Sequence, residues 1–374
     1  IAKYYRGKVP SKPFFDTLMA AFIIDNNNKN SLGLDDCAKK YLNIEVKKGV
    51  GAQVEIYSFG DVAHYSGFDA DVTWQLYKKL SPSLTGPLQR VWNLEMDVVA
   101  ALCDMELTGT HIDIDGLKKL KKKLEKDIEE TKATAWKLAG RPFSMNSVQE
   151  KQRLLFSPKE EGGRNIRVNT RLKIALTDKG QRTLKENGAL NIHHYSVSAE
   201  ALQLYSSKDE LVDALITYQD LNKLMTTYVM PYLGGEIVRT NLGKSRIVEK
   251  KSLLINGKVH TNFKAHGAET GRFSSSDPNL QNIPSGGEYG TLVRNLFIAP
   301  PGHKLVVADY SQIEPRIIAS FSEDPIALDY YRSGKDLYVA IGDIMKVDRK
   351  VGKMLVLAIS YGVGPEKIAR SIGC

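Results

Sequence analysis

The chain has 374 residues, 42% of them hydrophobic, which is enough for two or three domains with ordinary cores. Its 52 Lys and Arg against 43 Asp and Glu leave a net charge of +9, which fits a polyanionic partner without requiring one. No apolar run approaches the roughly 18–20 residues of a membrane span, no signal-peptide pattern opens the chain, and Cys37, Cys103 and Cys374 follow no metal-ligand spacing. The expectation is a soluble, cytoplasmic protein with reduced thiols.

Residues 14–23 read as a helix opened by Asp16, followed by a polar linker at 26–31 and a second short helix at 33–42. Tyr65 lies four residues before Asp69 on a helix running to about Leu80, so a phenol and a carboxylate share one face. Standing alone, that pair reads as a core tyrosine and a helix cap. Ser81-Pro82-Ser83-Leu84-Thr85-Gly86-Pro87 is the best domain boundary, separating 1–85 from 86–374. A helix over about 88–107 ends at Thr108-Gly109, and Ile112-Asp113-Ile114-Asp115 follows as a short strand and cap. Over 116–138, Leu117, Leu120, Leu124 and Ile128 recur at helical spacing. Opposite them sit Lys118, Lys119, Lys121, Lys122, Lys123 and Lys126, either a solvated face or an electrostatic grip on duplex phosphates. Further helices are expected at about 146–155, 178–186, 198–206 and 208–231. Residues 241–251 read as a polar, basic connection, and 258–263 alternate as a strand.

The apolar run 304–308 ends at Asp309 and is expected to be a buried strand that holds this carboxylate at the edge of a cleft. Glu314 and Arg316 follow, with a helix from about 315 to 322, because proline is tolerated in a first turn. Arg349, Lys353, Leu357 and Tyr361 recur every four residues, one slowly drifting stripe with two cations at its start. A carboxylate able to hold a divalent metal, followed by a helix with a cationic stripe, is what phosphoryl transfer from a triphosphate requires.

Val307-Ala308-Asp309-Tyr310-Ser311-Gln312-Ile313-Glu314-Pro315-Arg316 resembles motif A of the family A DNA polymerases, the bacterial DNA polymerase I type and its phage relatives. Arg349-x-x-x-Lys353-x-x-x-Leu357-x-x-x-Tyr361-Gly362 resembles their motif B. Thr270-Gly271-Arg272-Phe273-Ser274-Ser275-Ser276-Asp277-Pro278-Asn279-Leu280-Gln281-Asn282-Ile283-Pro284 resembles the stretch before them. The resemblance covers nearly the whole chain, most specifically 257–362. It implies a mixed α/β, right-hand polymerase preceded by the C-terminal part of a ribonuclease-H-like 3′→5′ exonuclease domain. The thumb would be 116–255, the palm with its sheet 256–330, and the start of the fingers 331–374.

The same resemblance implies the roles. Asp309 and the Tyr310 carbonyl would hold two Mg2+ ions, with Mn2+ as a substitute. Glu314 would be the steric gate that favours deoxynucleotides. Arg349 and Lys353 would contact the triphosphate, with Gln312, Tyr338 and Arg294 nearby. Tyr361 would stack near the nascent pair, and Gly362 would end the helix beside the DNA. Arg272, Asn279 and Gln281 would check base-pair geometry in the minor groove. Tyr65 and Asp69 match the third exonuclease motif, where the tyrosine orients water and the aspartate holds a metal. Pro315 and Leu357 depart from the usual Leu and Phe or Tyr, and Tyr338 stands where bacterial members often have His. The Leu357 and Tyr338 choices lean towards a phage source.

The partners implied are primer-template DNA and dNTPs, with no membrane and no identified processivity factor. Ile1 is not an initiator Met and the chain stops just past motif B, so the expectation is an internal fragment of a longer polymerase. The other exonuclease ligands and the family's second catalytic Asp would lie outside it, and neither proofreading nor efficient extension is expected of the fragment itself. A single-subunit RNA polymerase, a DEDD-type nuclease and a decayed DNA-binding module are the rival readings.

Overall fold

The structure is a computed structural model and describes residues 15–25, 32–45, 56–186, 188–206, 209–241, 244–284, 286–365 and 368–369, with 235–241 and 244–250 described by their backbone alone. It divides into two compact units, Ile1–His303 and Lys304–Cys374. Among the described residues no helix is long and apolar enough to cross a membrane.

In the first unit, Asp16 caps α1 (Thr17–Ile24), its carboxylate accepting from the Leu18 and Met19 amides at 2.9 and 3.0 Å. The helix is apolar on all sides and buries Met19 to Ile23. The polar linker expected at 26–31 lies outside the described residues. After it, α2 (Leu34–Cys37) runs into a wider π-turn at Ala38–Leu42. Ser58 caps α3 (Phe59–Leu80), which buries Val72, Leu76 and Leu80 at a four-residue spacing. α4 (Gly86–Thr108) stops at Gly109, whose φ of 61° suits glycine. A Cβ there would also meet the His260 ring at 2.6 Å. One apolar core joins α1, α3 and α4 through Met19, Phe22, Leu76 and Met96. It crosses the tight turn at Ser81–Ser83, where the domain boundary is expected.

β1 (Thr110–Ile112) leads to Asp113, which caps α5 (Ile114–Ala139) through the Gly116 amide at 2.9 Å. The apolar face of α5 buries Leu117, Leu120 and Leu124, as its periodicity predicts. α6 (Val148–Phe156), α7 (Asp178–Lys185), α8 (Ala199–Leu202), α9 (Glu210–Leu224) and α10 (Met230–Leu233) follow, close to the expected spans. Leu155, Leu202, Leu211 and Leu215 centre one core there; Leu117, Leu124, Tyr228, Tyr232 and Val293 belong to another.

β2 (Gly235–Asn241) and β3 (Lys244–Lys250) pair antiparallel from Gly235↔Lys250 to Asn241↔Lys244. The segment expected as an irregular connection is therefore a strand of a hairpin. Its polarity hides the signal, which is the β-branched set Ile237, Val238, Thr240, Ile247 and Val248 on the two arms. β4 (Leu254–Ile255) and β5 (Lys258–Val259) turn through Asn256 and Gly257, with φ of 52° and 75°. β6 (Asn262–Lys264) pairs with β7 (Ser274–Ser276), so the strand expected across 258–263 is broken at His260 and Thr261. There His260 Nδ1 lies 2.7 Å from the Glu106 carbonyl oxygen, and the Thr261 hydroxyl donates to the Pro278 carbonyl at 2.7 Å. After α11 (Gly287–Arg294), β8 (Phe297–Ile298) completes an antiparallel sheet of order β4-β5-β1-β8.

The second unit corrects one expectation at its start. Residues 304–308 form neither a strand nor a buried run, and Val306 and Val307 are 91% and 92% exposed. A strand needs a neighbour to take its N–H and C=O groups, and none of the described residues pairs with this one. The helices α12 (Ile313–Ser322), α13 (Pro325–Arg332), α14 (Leu337–Met345) and α15 (Arg349–Ser360) follow. α12 has Pro315 buried in its first turn, the position where a missing N–H costs nothing. α14 and α15 approach closely because Gly352 is bare. A Cβ at that position would lie 2.3 Å from the Tyr338 carbonyl oxygen.

Candidate functional site

The second unit brings together Asp309, Tyr310, Gln312, Glu314, Tyr338, Arg349, Lys353 and Leu357, which line one open cavity of about 390 Å³. Two carboxylates and two cations thus face a space the size of a small polar ligand. Asp309 reaches it from the irregular segment ahead of α12, not from a strand end, and is exposed. Gln312 precedes α12 with φ 53°, a left-handed conformation uncommon for a residue with a side chain, and its buried Oε1 has no hydrogen-bond partner. Glu314 sits in the first turn of α12 and accepts a hydrogen bond at 3.0 Å from Tyr361, the residue that ends α15. Gly362 follows with φ 70°, turning the chain out of the helix as expected.

Asp348 caps α15 through the Val351 amide, which places Arg349 in the first turn and Lys353 and Leu357 one and two turns on. Lys353 is exposed and Leu357 half-buried. Arg349 is held from behind: Asp336 Oδ2 accepts a hydrogen bond from its Nε at 2.9 Å and lies in an ion pair with its Nη2 at 2.8 Å. Its guanidinium also lies 5.4 Å from the centre of the Tyr338 ring. Tyr338 is 4% exposed, more a floor for Arg349 than a reaching side chain. The sequence reading assigned Asp336 no role, although an Asp two residues before Tyr338 at a helix start is a capping signal. Arg316 turns away to donate to the Ser311 carbonyl at 2.8 Å and to lie over the Tyr331 ring.

Other expected site residues lie in the first unit. Arg272 is exposed just before β7. Asn279 spends its side-chain oxygen on the loop itself, accepting from Ser275 Oγ, Gln281 N and Asn282 N at 3.1, 3.0 and 3.2 Å. Gln281 donates to the Phe273 carbonyl at 3.1 Å, and Arg294 to the Pro284 carbonyl at 3.0 Å. These bonds pre-form the loop. On α3, Asp69 lies against Tyr65, and its charge and hydrogen bond push the phenol above its ordinary range.

The lysine face of α5 is partly neutralised. Lys118, Lys121 and Lys126 pair with Asp115, Glu125 and Glu130 at 3.6, 3.4 and 3.7 Å. Lys123 meets Asp127 at 3.5 Å and Glu288 at 3.3 Å. Among the described residues, Lys119 and Lys122 have no ion pair.

Oxygen donors dominate the acidic side of the cavity. The Asp309 carboxylate and the Tyr310 carbonyl suit a hard divalent cation. No group of three His, Cys, Asp or Glu side chains able to hold a metal occurs among the described residues.

A family profile described as DNA polymerase family A matches residues 114–374. DNA polymerase I of Chloroflexus aurantiacus is 30% identical, over 96% of this chain and 36% of its own length. That of Bacillus subtilis is 29% identical, over 96% and 38%. The thermostable DNA polymerase I of Thermus aquaticus is 27% identical, over 96% and 38%. The chain thus spans little more than a third of the length of these curated relatives. Among solved structures, the POL domain of Pol1 from M. smegmatis, in complex with DNA primer-template and dNTP, has a similar fold. Its TM-score is 0.70 at 24% identity, covering 96% of this chain and 56% of that one.

Proposed function

The chain belongs to DNA polymerase family A, and from that membership we propose that it takes part in template-directed transfer of a nucleotidyl group from a dNTP to a primer 3′-hydroxyl. The observation that carries this reading is the single cavity faced by Asp309, Glu314, Arg349 and Lys353. The hydroxyl oxygen gives up its proton to solvent water and bonds to the α-phosphorus, the bond to the oxygen bridging to the β-phosphate breaks, and pyrophosphate leaves. Arg349 and Lys353 bind the triphosphate, a fork and a point charge one turn apart on α15. Glu314 acts as the gate against a ribose 2′-hydroxyl, a role supported by the hydrogen bond that its carboxylate accepts from Tyr361. Leu357 supplies an aliphatic wall to the sugar. Asp309 and the Tyr310 carbonyl would hold Mg2+. Two such ions, when bound, neutralise the triphosphate and acidify the attacking hydroxyl.

Within this reading residues 116–255 serve as thumb, 256–330 as palm and 331–374 as the start of the fingers, with 1–85 from an exonuclease domain. Arg272, Asn279 and Gln281 face the primer-template minor groove. The protein works in the cytoplasm on DNA and dNTPs.

The test is primer extension by the full-length protein beside its Asp309→Asn variant, with Mg2+ and dNTPs. Extension that disappears in the variant supports the proposal. Absence of extension from both, with salt-steep DNA binding retained, replaces it with a DNA-binding module.

A further inference from the structure

Arg349 and Lys353 are not equivalent cations. Lys353 has no ion pair among the described residues, whereas Arg349 makes a charge-assisted hydrogen bond through Nε, and an ion-pair contact through Nη2, to one oxygen of Asp336. The hydrogen bond uses Nε–H, on the edge of the guanidinium that Nη2 shares. The two donors on Nη1, the nitrogen that does not contact Asp336, are left for a ligand. Arg349 lines the cavity and Asp336 does not, so the carboxylate grips the guanidinium from outside the ligand space.

Asp336 is itself fixed. Its other oxygen accepts from the Tyr338 and Val339 amides at 2.8 and 3.3 Å, which makes it the cap of α14. Burial by itself would push this carboxyl up. The hydrogen bonds from Arg349 and the two amides outweigh that and hold it below its ordinary range. Tyr338, buried beneath the guanidinium, closes the third side. The grip exists only because α14 and α15 can touch, which Gly352 permits.

We propose that Asp336 is the positioning residue of the nucleotide site, fixing the Arg349 fork so that its free donors meet the triphosphate already aligned. This rests on the reading of the cavity as a dNTP site. A flexible arginine loses rotamer freedom when it binds a phosphate; one already held by Asp336 and Tyr338 loses less. The pairing also cancels one unit of charge, so Arg349 acts through geometry and Lys353 through charge.

Asp336→Asn separates this role from the cap. An asparagine still caps α14 through its side-chain oxygen, but its NH2 group cannot accept from Arg349. The expected result, in primer extension by the full-length protein, is a KM for dNTP raised about tenfold with kcat changed less than about twofold. In an Arg349→Ala background the same substitution is expected to change nothing further. An unchanged KM, or an equal effect with and without Arg349, overturns the proposal. Asp336→Ser, which also caps, repeats the measurement should the asparagine variant melt early. Wild-type protein with no Asp309-dependent extension would sink the dNTP-site reading itself. Normal extension with an indifferent Asp336 sinks only this inference.

Discussion

The phenol of Tyr361 donates to Glu314 Oε2 at 3.0 Å, tying the end of α15 to the first turn of α12. The residue proposed to stack near the nascent pair thereby aims the one proposed to exclude ribose. Glu314→Ala is expected to raise ribonucleotide use relative to dNTP by about a hundredfold. Tyr361→Phe removes the donor but leaves the carboxylate, and its effect should be smaller, roughly tenfold. Competitive incorporation of rNTP and dNTP reads both ratios. Equal ratios in all three proteins would remove Glu314 from the gate.

Leu357 lines the cavity between Lys353 and the end of α15 with a branched aliphatic side chain. It offers no flat face to a sugar. Leu357→Phe is expected to increase 3′-deoxy terminator incorporation relative to dNTP about tenfold, the scale of one aromatic contact. A terminator ratio and an extension rate that both stay unchanged would take Leu357 out of substrate selection.

Gly352→Ala would normally stabilise a helix, by about 0.5–1 kcal/mol. Here the new methyl would lie 2.3 Å from the Tyr338 carbonyl oxygen, a backbone atom that cannot rotate aside. The clash should win, with a net loss of about 1–3 kcal/mol as α14 and α15 separate. A urea midpoint that rises in this variant would contradict the packing described.

His266 packs edge-on against Phe22, with ring centres 6.4 Å apart. Burial lowers its pKa from 6.5; Asp16 pulls the other way and Lys264 adds to the lowering. The folded protein therefore binds fewer protons here than the unfolded chain. Its contribution is complete above pH 6.5 and is lost as the pH falls from there through the depressed value. Melting temperature should decline over that window, and His266→Gln should flatten this part of the decline. An identical pH profile in the variant would assign the loss to other groups.

Much of this architecture is legible in the sequence. The helix starts at Asp16 and Asp113 follow from capping chemistry, and the face of α5 from the spacing of Leu117, Leu120 and Leu124, because these signals are local. The stripe on α15 was equally plain. Harder to read was the hairpin of β2 and β3, whose polar composition masks its β-branched arms, and the break of 258–263 at His260 and Thr261. The apolar run before Asp309 misled in the other direction. Hydrophobicity favours burial, but a strand exists only where another strand receives its hydrogen bonds.

By itself, the sequence settled which chemical groups this protein has and which helices carry them, since capping, periodicity and motif spacing act over a few residues. Only the tertiary structure decided how those groups are held. That Arg349 is gripped by Asp336, that Glu314 is aimed by Tyr361 and that Tyr338 lies buried as a floor all depend on α12, α14 and α15 meeting. Those contacts join residues 11, 13 and 47 positions apart. No local rule specifies them, because they arise from close packing through a bare glycine and from buried polar groups finding the partner that packing leaves within reach.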